Sequence, residues 1–331
     1  MKNIEMHCHS TRSDGRNTPE EVISEAVRLD LDFLALTDHD TIAPKWFQDA
    51  LKDKWIKTCD SVEISAQNED MWKSLHLVSY AKIFHDSLHR VLEESRHGKM
   101  SMKWGQFDIL IREFGFEWSR EGFDSFMQNK LWREPVTSNK YDMSRYIMSE
   151  WENQNKAKKI LWNLATSNDI VLHFYLECLK REWKLYEIYW YEVAEYEPSV
   201  EKTVDEVVNK SWWIVSMAHP NVTFWGNKGW VAEFERTIWD YVQKWVQGVE
   251  INTMASSEWI HSILKARQKF DLILTFWSDC HEIGYDGSDE KHATIGQKNS
   301  QMLSPDMWKR TYRWSSFTED SFWRFQEVLW I

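Results

Sequence analysis

Length, composition and charge restrict what this chain of 331 residues can be. Hydrophobic residues make up 43% and charged residues 28% of it, which excludes a disordered tail or a fibrous repeat and favours one large domain or a domain with an insertion. The net charge of −12 disfavours a protein that grips long nucleic acid through many phosphates. No stretch reaches the roughly 18 apolar residues of a membrane span, and the start lacks a signal-peptide pattern, so we expect no membrane contact.

The first 80 residues predict alternating strands and helices. Ile4, Met6 and Cys8 alternate with polar residues and predict a strand that has one apolar and one polar face. Thr18-Pro19-Glu20-Glu21 is a strong helix start, and the helix is expected to bury Val22, Ile23, Ala26 and Val27. Phe33–Leu36 predicts a buried strand, followed by a helix from Pro44 to about Lys54. Further strands are predicted at 62–64 and 75–80.

Beyond residue 85 the pattern changes and later returns. Residues 86–198 are charged, rich in aromatic residues and spaced like helices, so they predict a mostly helical insertion or cap between two barrel parts, 1–85 and 199–331. In the last part, helices alternate with strands that begin at Ile214, Gly248 and Leu272. Repeated strand–helix units predict an α/β fold with a parallel sheet, either open or closed into a barrel, whose polar residues gather at the carboxyl ends of the strands.

Histidines and carboxylates lie at or near the ends of these predicted strands. His7 and His9 are two residues apart on one strand, about 6 to 7 Å along the backbone, so both side chains can reach one ion. His-x-His alone is usually two solvent-facing polar residues, but five such patterns at successive strand ends indicate metal binding, and the donor types suit Zn, Mn or Fe. The candidate metal ligands are His7, His9, Asp14, His39, Glu63, His76, His219, Asp279 and His281.

The motifs around these residues resemble the polymerase and histidinol phosphatase (PHP) superfamily of metal-dependent phosphoesterases. They are His7-Cys8-His9-Ser10, Ser13-Asp14-Gly15, Thr37-Asp38-His39-Asp40, Val62-Glu63-Ile64-Ser65, His76, Ala218-His219-Pro220 and Ser278-Asp279-Cys280-His281. The resemblance implies a distorted (βα)7 TIM-like barrel with two or three divalent ions, Mn, Zn or Fe, with Mg also compatible. It implies three ligand sets: His7, His9, Glu63 and Asp279; Glu63, His76 and His219; and Asp14, His39 and His281.

The resemblance predicts a hydrolase that acts on a phosphomonoester or on the 5′ end of a nucleotide or short oligonucleotide, with a metal-bound hydroxide as the attacking group. Asp38 is a candidate for orienting a ligand imidazole. Arg12 and Arg16 are candidates for contacting the substrate phosphate, with an ordinary solvated role as the alternative. Two alternatives stay open. A metal-dependent amidohydrolase is disfavoured because no lysine is placed at a strand end to bridge two metals. The other is an inactive PHP module that only binds metal.

The number and spacing of the cysteines predict the cellular location of the protein. Cys8, Cys59, Cys178 and Cys280 are too few for a disulfide scaffold and have no Cys-x-x-Cys spacing, so a reducing cytoplasm is the expected location. Cys8 lies between two candidate ligands but must point away from the ion on a strand, so we interpret it as a core residue. The sequence leaves the oligomeric state open.

Tryptophan is in large excess and glycine is scarce. The chain has 22 Trp and 11 Gly, whereas about 23 Gly are expected at average usage of about 7%. A Trp-rich surface that stacks on bases or sugars is one explanation. We favour another hypothesis, in which many of these Trp stand where the natural protein has Gly, because some bacterial genetic codes read UGA as glycine. PHP members often have Gly at the positions of Trp55, Trp213, Trp245 and Trp277. TGG codons at these positions would refute the hypothesis.

Overall fold

The computed structural model describes residues 3–68, 73–160, 170–179, 197–224, 230–253, 255–284, 293–295 and 314–329. The chain divides into two compact units: residues 1–93 together with 198–331, and residues 94–197. The division predicted at residues 86 and 198 stays a prediction. Among the described residues, no helix combines the length and the apolar character needed to cross a membrane.

Seven strands of the first unit form a mixed α/β fold with two sheets. β1 pairs in parallel with β2, and the second sheet has the order β3-β4-β5-β6-β7. The strands are β1 Ile4–Cys8, β2 Phe33–Leu36, β3 Asp60–Asn68, β4 Lys73–Ala81, β5 Ile214–Met217, β6 Gly248–Asn252 and β7 Ile273–Trp277.

The predicted all-parallel order is wrong at β4. This strand is antiparallel to both β3 and β5, whereas β5, β6 and β7 run parallel to one another. The reason is that β3 ends at Asn68 and β4 begins at Lys73, which leaves too few residues for the crossover connection that parallel neighbours need. His76 therefore lies toward the amino end of its strand, and it reaches the same end of the sheet as the candidate ligands after the parallel strands.

Isolated bridges lie between the ends of strands that belong to different sheets. Cys8, the last residue of β1, bridges Cys280 after β7, and the His9 N–H donates to the Cys280 carbonyl at 2.9 Å. His39 after β2 bridges Glu63 of β3, and the Asp40 N–H donates to the Glu63 carbonyl at 2.8 Å. These backbone contacts bring the ends of β1, β2 and β7 and the middle of β3 close together.

Helices alternate with these strands as predicted, apart from details of their buried faces. α1 begins after Thr18, whose hydroxyl accepts from the Glu21 N–H while the Glu21 carboxylate accepts from the Thr18 N–H. Its buried face holds Val22 and Ala26, but Val27, expected to be buried, is 47% exposed. The helices are α1 Pro19–Arg28, α2 Lys45–Asp53, α3 Asp86–Phe114, α4 Arg120–Lys130, α5 Lys140–Ile147, α6 Trp151–Ile160, α7 Ile170–Phe174, α8 Val200–Val204, α9 Pro220–Thr223, α10 Trp230–Gln243, α11 Ser257–Phe270 and α12 Trp314–Leu329.

The second unit has its own hydrophobic core, built by helices as the composition of this segment predicts. Phe107, Phe123 and Phe174 are fully buried in it. It also buries an ion pair between Arg133 and Asp142, both less than 10% exposed. A separate core is what allows such a segment to be compact as an insertion.

Four tryptophans have backbone angles that favour glycine. Trp55, Trp132, Trp212 and Trp245 have φ between 54° and 68°, and their side chains are 69–94% exposed. After α2, the Trp55 N–H donates to the Lys52 carbonyl and the Ile56 N–H to the Leu51 carbonyl, which is the helix-ending pattern that normally has Gly at this position. These angles support the hypothesis that glycine is the natural residue there, since a Cβ disfavours the left-handed region.

Candidate metal centre

The first strand supplies two imidazoles that face the same point. Glu5 and His7 of β1 and His9 directly after it lie on the same side of the chain. All three are buried, whereas a polar strand face is usually exposed. The Nε2 atoms of His7 and His9 are 3.1 Å apart. Two neutral imidazoles at this distance need a cation or a shared proton between their lone pairs.

Glu63, in the middle of β3, lies at the centre of the cluster. Its Oε2 is 3.0 Å from His39 Nδ1 and 3.2 Å from Nε2 of both His7 and His9. Its Oε1 is 2.9 Å from His76 Nδ1 and 2.9 Å from His219 Nε2. One buried carboxylate thus contacts five imidazoles, each of which comes from a different position of the first unit.

Two aspartates complete the other side of the cluster. Asp14 Oδ1 lies 3.1 Å from His281 Nε2, 3.7 Å from His39 Nε2 and 3.9 Å from His9 Nδ1. Asp279 Oδ1 lies 3.1 Å from His9 Nε2 and 3.7 Å from His7 Nε2. The structure therefore brings all nine candidate ligands into one cluster.

Three groups within this cluster have ligand atoms that all lie within 4.8 Å of one another: His9, Asp14, His39 and His281; His7, His9 and Glu63; and His39, Glu63 and His76. The first group contains the whole predicted set of Asp14, His39 and His281. The second lies within the predicted set that also includes Asp279. The third joins His39 to Glu63 and His76, and it leaves out His219, although His219 Nε2 is 3.1 Å from His76 Nδ1.

The donor atoms fit a cation better than they fit one another. Glu63 Oε2 and His39 Nδ1 are buried and 3.0 Å apart, yet neither makes a hydrogen bond among the described residues. Buried polar atoms without partners are costly, and a divalent cation supplies the missing partner for both. The nitrogen and carboxylate donors match the preferences of Zn, Mn and Fe.

The pKa values of the histidines differ because their surroundings differ. Burial alone lowers the pKa of His9, but the neighbouring carboxylates of Asp279 and Glu63 outweigh it and raise that pKa to about 10. For His39, burial dominates and lowers the pKa to about 3, although Glu63 and Asp14 oppose the shift. Without a metal, His9 is therefore protonated at neutral pH and His39 is neutral.

The carboxylates of the cluster are held in their charged form. Burial raises the pKa of Glu63, but the charges of His39 and His7 prevail and hold it well below its usual range. In the same way, His281 and His39 keep the pKa of Asp14 well below its usual value against the effect of burial. Ionised oxygens are the form that a metal ion binds.

Asp38 organises the loop after β1 and does not itself contact an imidazole among the described residues. Its carboxylate accepts from the Ser10 N–H at 2.7 Å, the Ser10 hydroxyl at 2.7 Å and the Ser13 hydroxyl at 2.6 Å. Ser13 Oγ lies 3.4 Å from His9 Nδ1, so any influence of Asp38 on a ligand passes through this hydroxyl. Gly15 completes the tight loop, because a Cβ there would lie 2.7 Å from the His9 carbonyl.

The two arginines of this loop have different surroundings. Arg12 is half-buried, and its Nε is buried without a hydrogen-bond partner among the described residues. Arg16 Nη1 forms an exposed ion pair with Glu282 at 2.5 Å. Of the two, Arg12 has the donor that a phosphate oxygen could use.

Three residues with strained backbone angles lie where strands end at the cluster. Asp40, His219 and Asp279 have φ of 48°, 29° and 50°. Non-glycine residues in this region cost roughly 1–3 kcal/mol each and persist where the surrounding structure enforces them, often at functional sites.

Sequence reasoning missed two buried acids beneath the cluster, Glu5 and Glu250. Glu5 Oε1 accepts from the N–H of His7 at 3.1 Å and of Ser278 at 3.2 Å. Glu250 contacts His7 Nδ1 at 3.1 Å. The pattern that reveals Glu250 is a single acid inside the apolar strand Gly248-Val249-Glu250-Ile251-Asn252, since parallel strands are normally apolar on both faces.

Residues 5–134, which include six of the nine candidate ligands, match the family model of the PHP domain. The chain contains a PHP domain. Over 78 residues the chain is 40% identical to a 5′-3′ exoribonuclease of Haemophilus influenzae, and the match covers 23% of this chain and 28% of that protein. Over 64 residues it is 45% identical to an error-prone DNA polymerase of Mycolicibacterium paratuberculosis, or 18% of this chain and 6% of the polymerase. The chain thus spans well under two thirds of these relatives.

Solved structures share their fold with most of the chain. An amidohydrolase from Chromobacterium violaceum superposes with a TM-score of 0.65 at 23% identity and covers 85% of this chain and 88% of its own. A protein from Bifidobacterium adolescentis, described as a metal-dependent phosphoesterase, has a TM-score of 0.63 at 16% identity and covers 91% and 94%. At these identities, the likeness establishes the fold.

Proposed function

We propose that this PHP-domain protein is a metal-dependent phosphoesterase. The observation that carries the proposal is the cluster around Glu63, in which one carboxylate contacts five imidazoles. Two or three divalent cations are expected, with Mn, Zn or Fe as the first candidates and Mg also compatible. The set of Asp14, His39 and His281 is proposed to hold one ion, and the sets that share Glu63 the others.

Each part of the cluster has a proposed task. When bound, divalent cations polarise phosphoryl oxygens and lower the pKa of a coordinated water, which is the chemistry that phosphate-ester hydrolysis needs. Glu63 and the imidazoles hold the donor positions, and Asp38 keeps the loop that carries Asp14 in place through Ser10 and Ser13. The Arg12 guanidinium is proposed to bind a substrate phosphate oxygen, because its buried Nε makes no hydrogen bond among the described residues.

We also propose that the seven strands close into the distorted barrel. Support comes from the bridges of Cys8 with Cys280 and of His39 with Glu63, which join the ends of neighbouring strands from the two sheets. Closure would place every candidate ligand at one rim, where barrels of this kind carry their active sites.

The proposed substrate is a phosphomonoester or the 5′ end of a nucleotide or short oligonucleotide. One matching relative is named a 5′-3′ exoribonuclease, and another, of Eggerthella lenta, is named a phosphoribosyl 1,2-cyclic phosphate 1,2-diphosphodiesterase and is 31% identical over 75 residues. Both names describe hydrolysis of phosphate esters near a ribose. The charge of −12 agrees with a small substrate more than with long nucleic acid.

A reducing, cytoplasmic location accompanies this proposal. All four cysteines lie among the described residues, each is buried, and none forms a disulfide. Burial raises the pKa of Cys8 and raises that of Cys280 to about 12, so neither thiol is a nucleophile at neutral pH.

Metal analysis and substrate assays of the Mn²⁺-loaded protein test the function. We expect hydrolysis of p-nitrophenyl phosphate and faster hydrolysis of one natural class, tested as nucleoside bisphosphates, 5′-phosphorylated short RNA and histidinol phosphate. Glu63→Gln should lower activity at least about 100-fold, since it removes the charge shared by the ligand sets. The control is Glu206→Gln, a buried acid that pairs with Lys210 at 2.5 Å outside the cluster.

Two results would contradict the phosphoesterase proposal. Bound metal with turnover of an amide substrate and no phosphate release would favour the amidohydrolase alternative, which the name of the Chromobacterium violaceum structure keeps in view. Bound metal with no turnover of either class would favour the inactive module.

A further inference from the structure

One buried acid contacts two of the candidate ligands at once. Glu250 of β6 is fully buried, and its Oε1 and Oε2 lie 3.1 and 3.3 Å from His7 Nδ1. Its Oε2 also accepts a hydrogen bond from the His219 backbone N–H at 3.0 Å. The same carboxylate therefore links a ligand of β1 to the ligand that follows β5.

These contacts decide which nitrogen of His7 faces the cluster. An ionised carboxylate only accepts hydrogen bonds, so Nδ1 of His7 must carry a proton toward Glu250. Nε2 is then left with its lone pair, and it points at Glu63 Oε2, 3.2 Å away. In the neutral ring only this tautomer can donate an electron pair to an ion beside Glu63.

His219 depends on Glu250 through its backbone. Its φ of 29° and ψ of 60° lie outside the regions that residues with a Cβ prefer. In this conformation its Nε2 lies 2.9 Å from Glu63 Oε1. A buried N–H at a strained residue needs an acceptor, and Glu250 provides it.

Glu250 occupies a strand whose other side chains pack in the core. Val249 is fully buried and Ile251 is 2% exposed. No lysine or arginine of the described residues pairs with Glu250, so nothing except the two histidines compensates for burying its charge. An acid in this setting is costly, which argues for a task at the cluster above it.

We infer that Glu250 is a positioning residue that presets His7 and His219 for divalent cations, an inference that rests on the proposed metal-dependent function. Acids that accept a proton from the far nitrogen of a ligand imidazole fix its orientation and make it a stronger donor. Glu250 does this for His7, and the same carboxylate fixes His219 by accepting from its backbone N–H.

This inference is tested by titrating the metal-free protein with Co²⁺ and monitoring binding by calorimetry and by visible absorption. Glu250→Gln should weaken Co²⁺ binding about 10–100-fold and change the absorption bands. The neutral amide has one acceptor oxygen for the two donors His7 Nδ1–H and His219 N–H, and its own N–H group would face the other donor. Glu250→Asp should recover part of the affinity. The control, Glu206→Gln, removes another buried charge from the same unit (5% exposed, against 0% for Glu250) and should stay within about twofold of the wild type.

The outcomes separate this inference from the function on which it rests. A wild-type protein that binds no Co²⁺ would overturn both. Wild-type binding with unchanged affinity and absorption in Glu250→Gln would overturn the role of Glu250 alone. So would an equal loss of affinity in Glu206→Gln, because that would indicate general destabilisation.

A second measurement needs no change at Glu250 and covers the case that its variants do not fold. In the Zn²⁺-loaded wild type labelled with ¹⁵N-histidine, the His7 resonance, assigned by its absence in His7→Gln, should report a protonated Nδ1. A His7 protonated at Nε2 would overturn the inference.

Discussion

The histidines of the cluster have unequal proton affinities although they share the same carboxylates. His9 and His39 both lie beside Glu63, yet the pKa of His9 is about 10 and that of His39 is about 3. The difference arises because His9 also has Asp279 at 3.1 Å, whereas His39 faces other imidazoles. In the metal-free protein some ligand imidazoles are therefore protonated at neutral pH and others are not.

Metal binding should release protons, and His7 and His9 should be their main sources, because neighbouring carboxylates raise the pKa of both imidazoles. A ligand imidazole must be neutral, so apparent metal affinity should rise as pH rises from 6 toward 10, through the range in which His9 is still protonated. His39, already neutral above about pH 4, adds nothing to this dependence. Calorimetry in buffers of different ionisation enthalpy measures the number of protons released.

Variants at these two residues give matched comparisons. His9→Gln should reduce the release by about one proton, and His39→Gln should leave it unchanged although both remove a ligand. Equal release in the two variants would contradict the assigned pKa values.

At two turns between a helix and a strand, a residue with a side chain adopts a backbone angle that favours glycine. Trp55 and Trp245 follow α2 and α10, and both have positive φ, exposed indoles and the same pair of hydrogen bonds to the preceding helix. The two turns thus share a conformation that depends on the backbone and not on an indole contact. This agreement between separate turns is the strongest structural support for natural glycine at these positions.

Replacing these tryptophans by glycine should stabilise the protein. Trp55→Gly and Trp245→Gly should each raise the free energy of unfolding by about 1 kcal/mol, because the left-handed conformation costs a residue with a Cβ roughly 1–2 kcal/mol. The control is Trp46→Gly in α2, where Trp46 is 45% exposed and glycine should instead cost about 0.5–1 kcal/mol. Urea denaturation measures all three, and destabilisation at the two turns would speak against the glycine hypothesis.

The candidate ligands come from most strands of the first unit, so the stability of this unit should depend on bound metal. The ligands come from β1, β3, β4 and the segments after β1, β2, β5 and β7, and an ion that holds them together ties most of the fold. An ion bound only by the folded state adds about 2.7 kcal/mol when its concentration is 100 times its dissociation constant.

Chelation should therefore lower the unfolding temperature. We expect calorimetry to show a higher Tm with Mn²⁺ than with EDTA, and a much smaller difference in Glu63→Gln. Asp271→Asn, at an exposed pair with Arg324, is the control and should keep the full metal effect. If Mn²⁺ left the Tm of the wild type unchanged, the cluster would not bind this ion.

Local pattern alone was enough to predict most elements and the chemical types at the site. Alternation located β1, the capping residues located α1, and polar residues after apolar runs marked the candidate ligands, because each of these depends only on neighbours in the chain. The sequence also predicted helices across the second unit. It predicted glycine at Trp55 and Trp245, which have positive φ, but also at Trp213, where the positive φ lies one residue earlier at Trp212.

Only the tertiary structure decided the direction of β4 and the roles of Asp38 and Glu250. His76 reaches the cluster from an antiparallel strand, Asp38 contacts serines instead of an imidazole, and Glu250 meets His7 across 243 positions of chain. The physical reason is that strand pairing, burial and the partner of each charged group are set by packing between distant segments, which local periodicity does not encode.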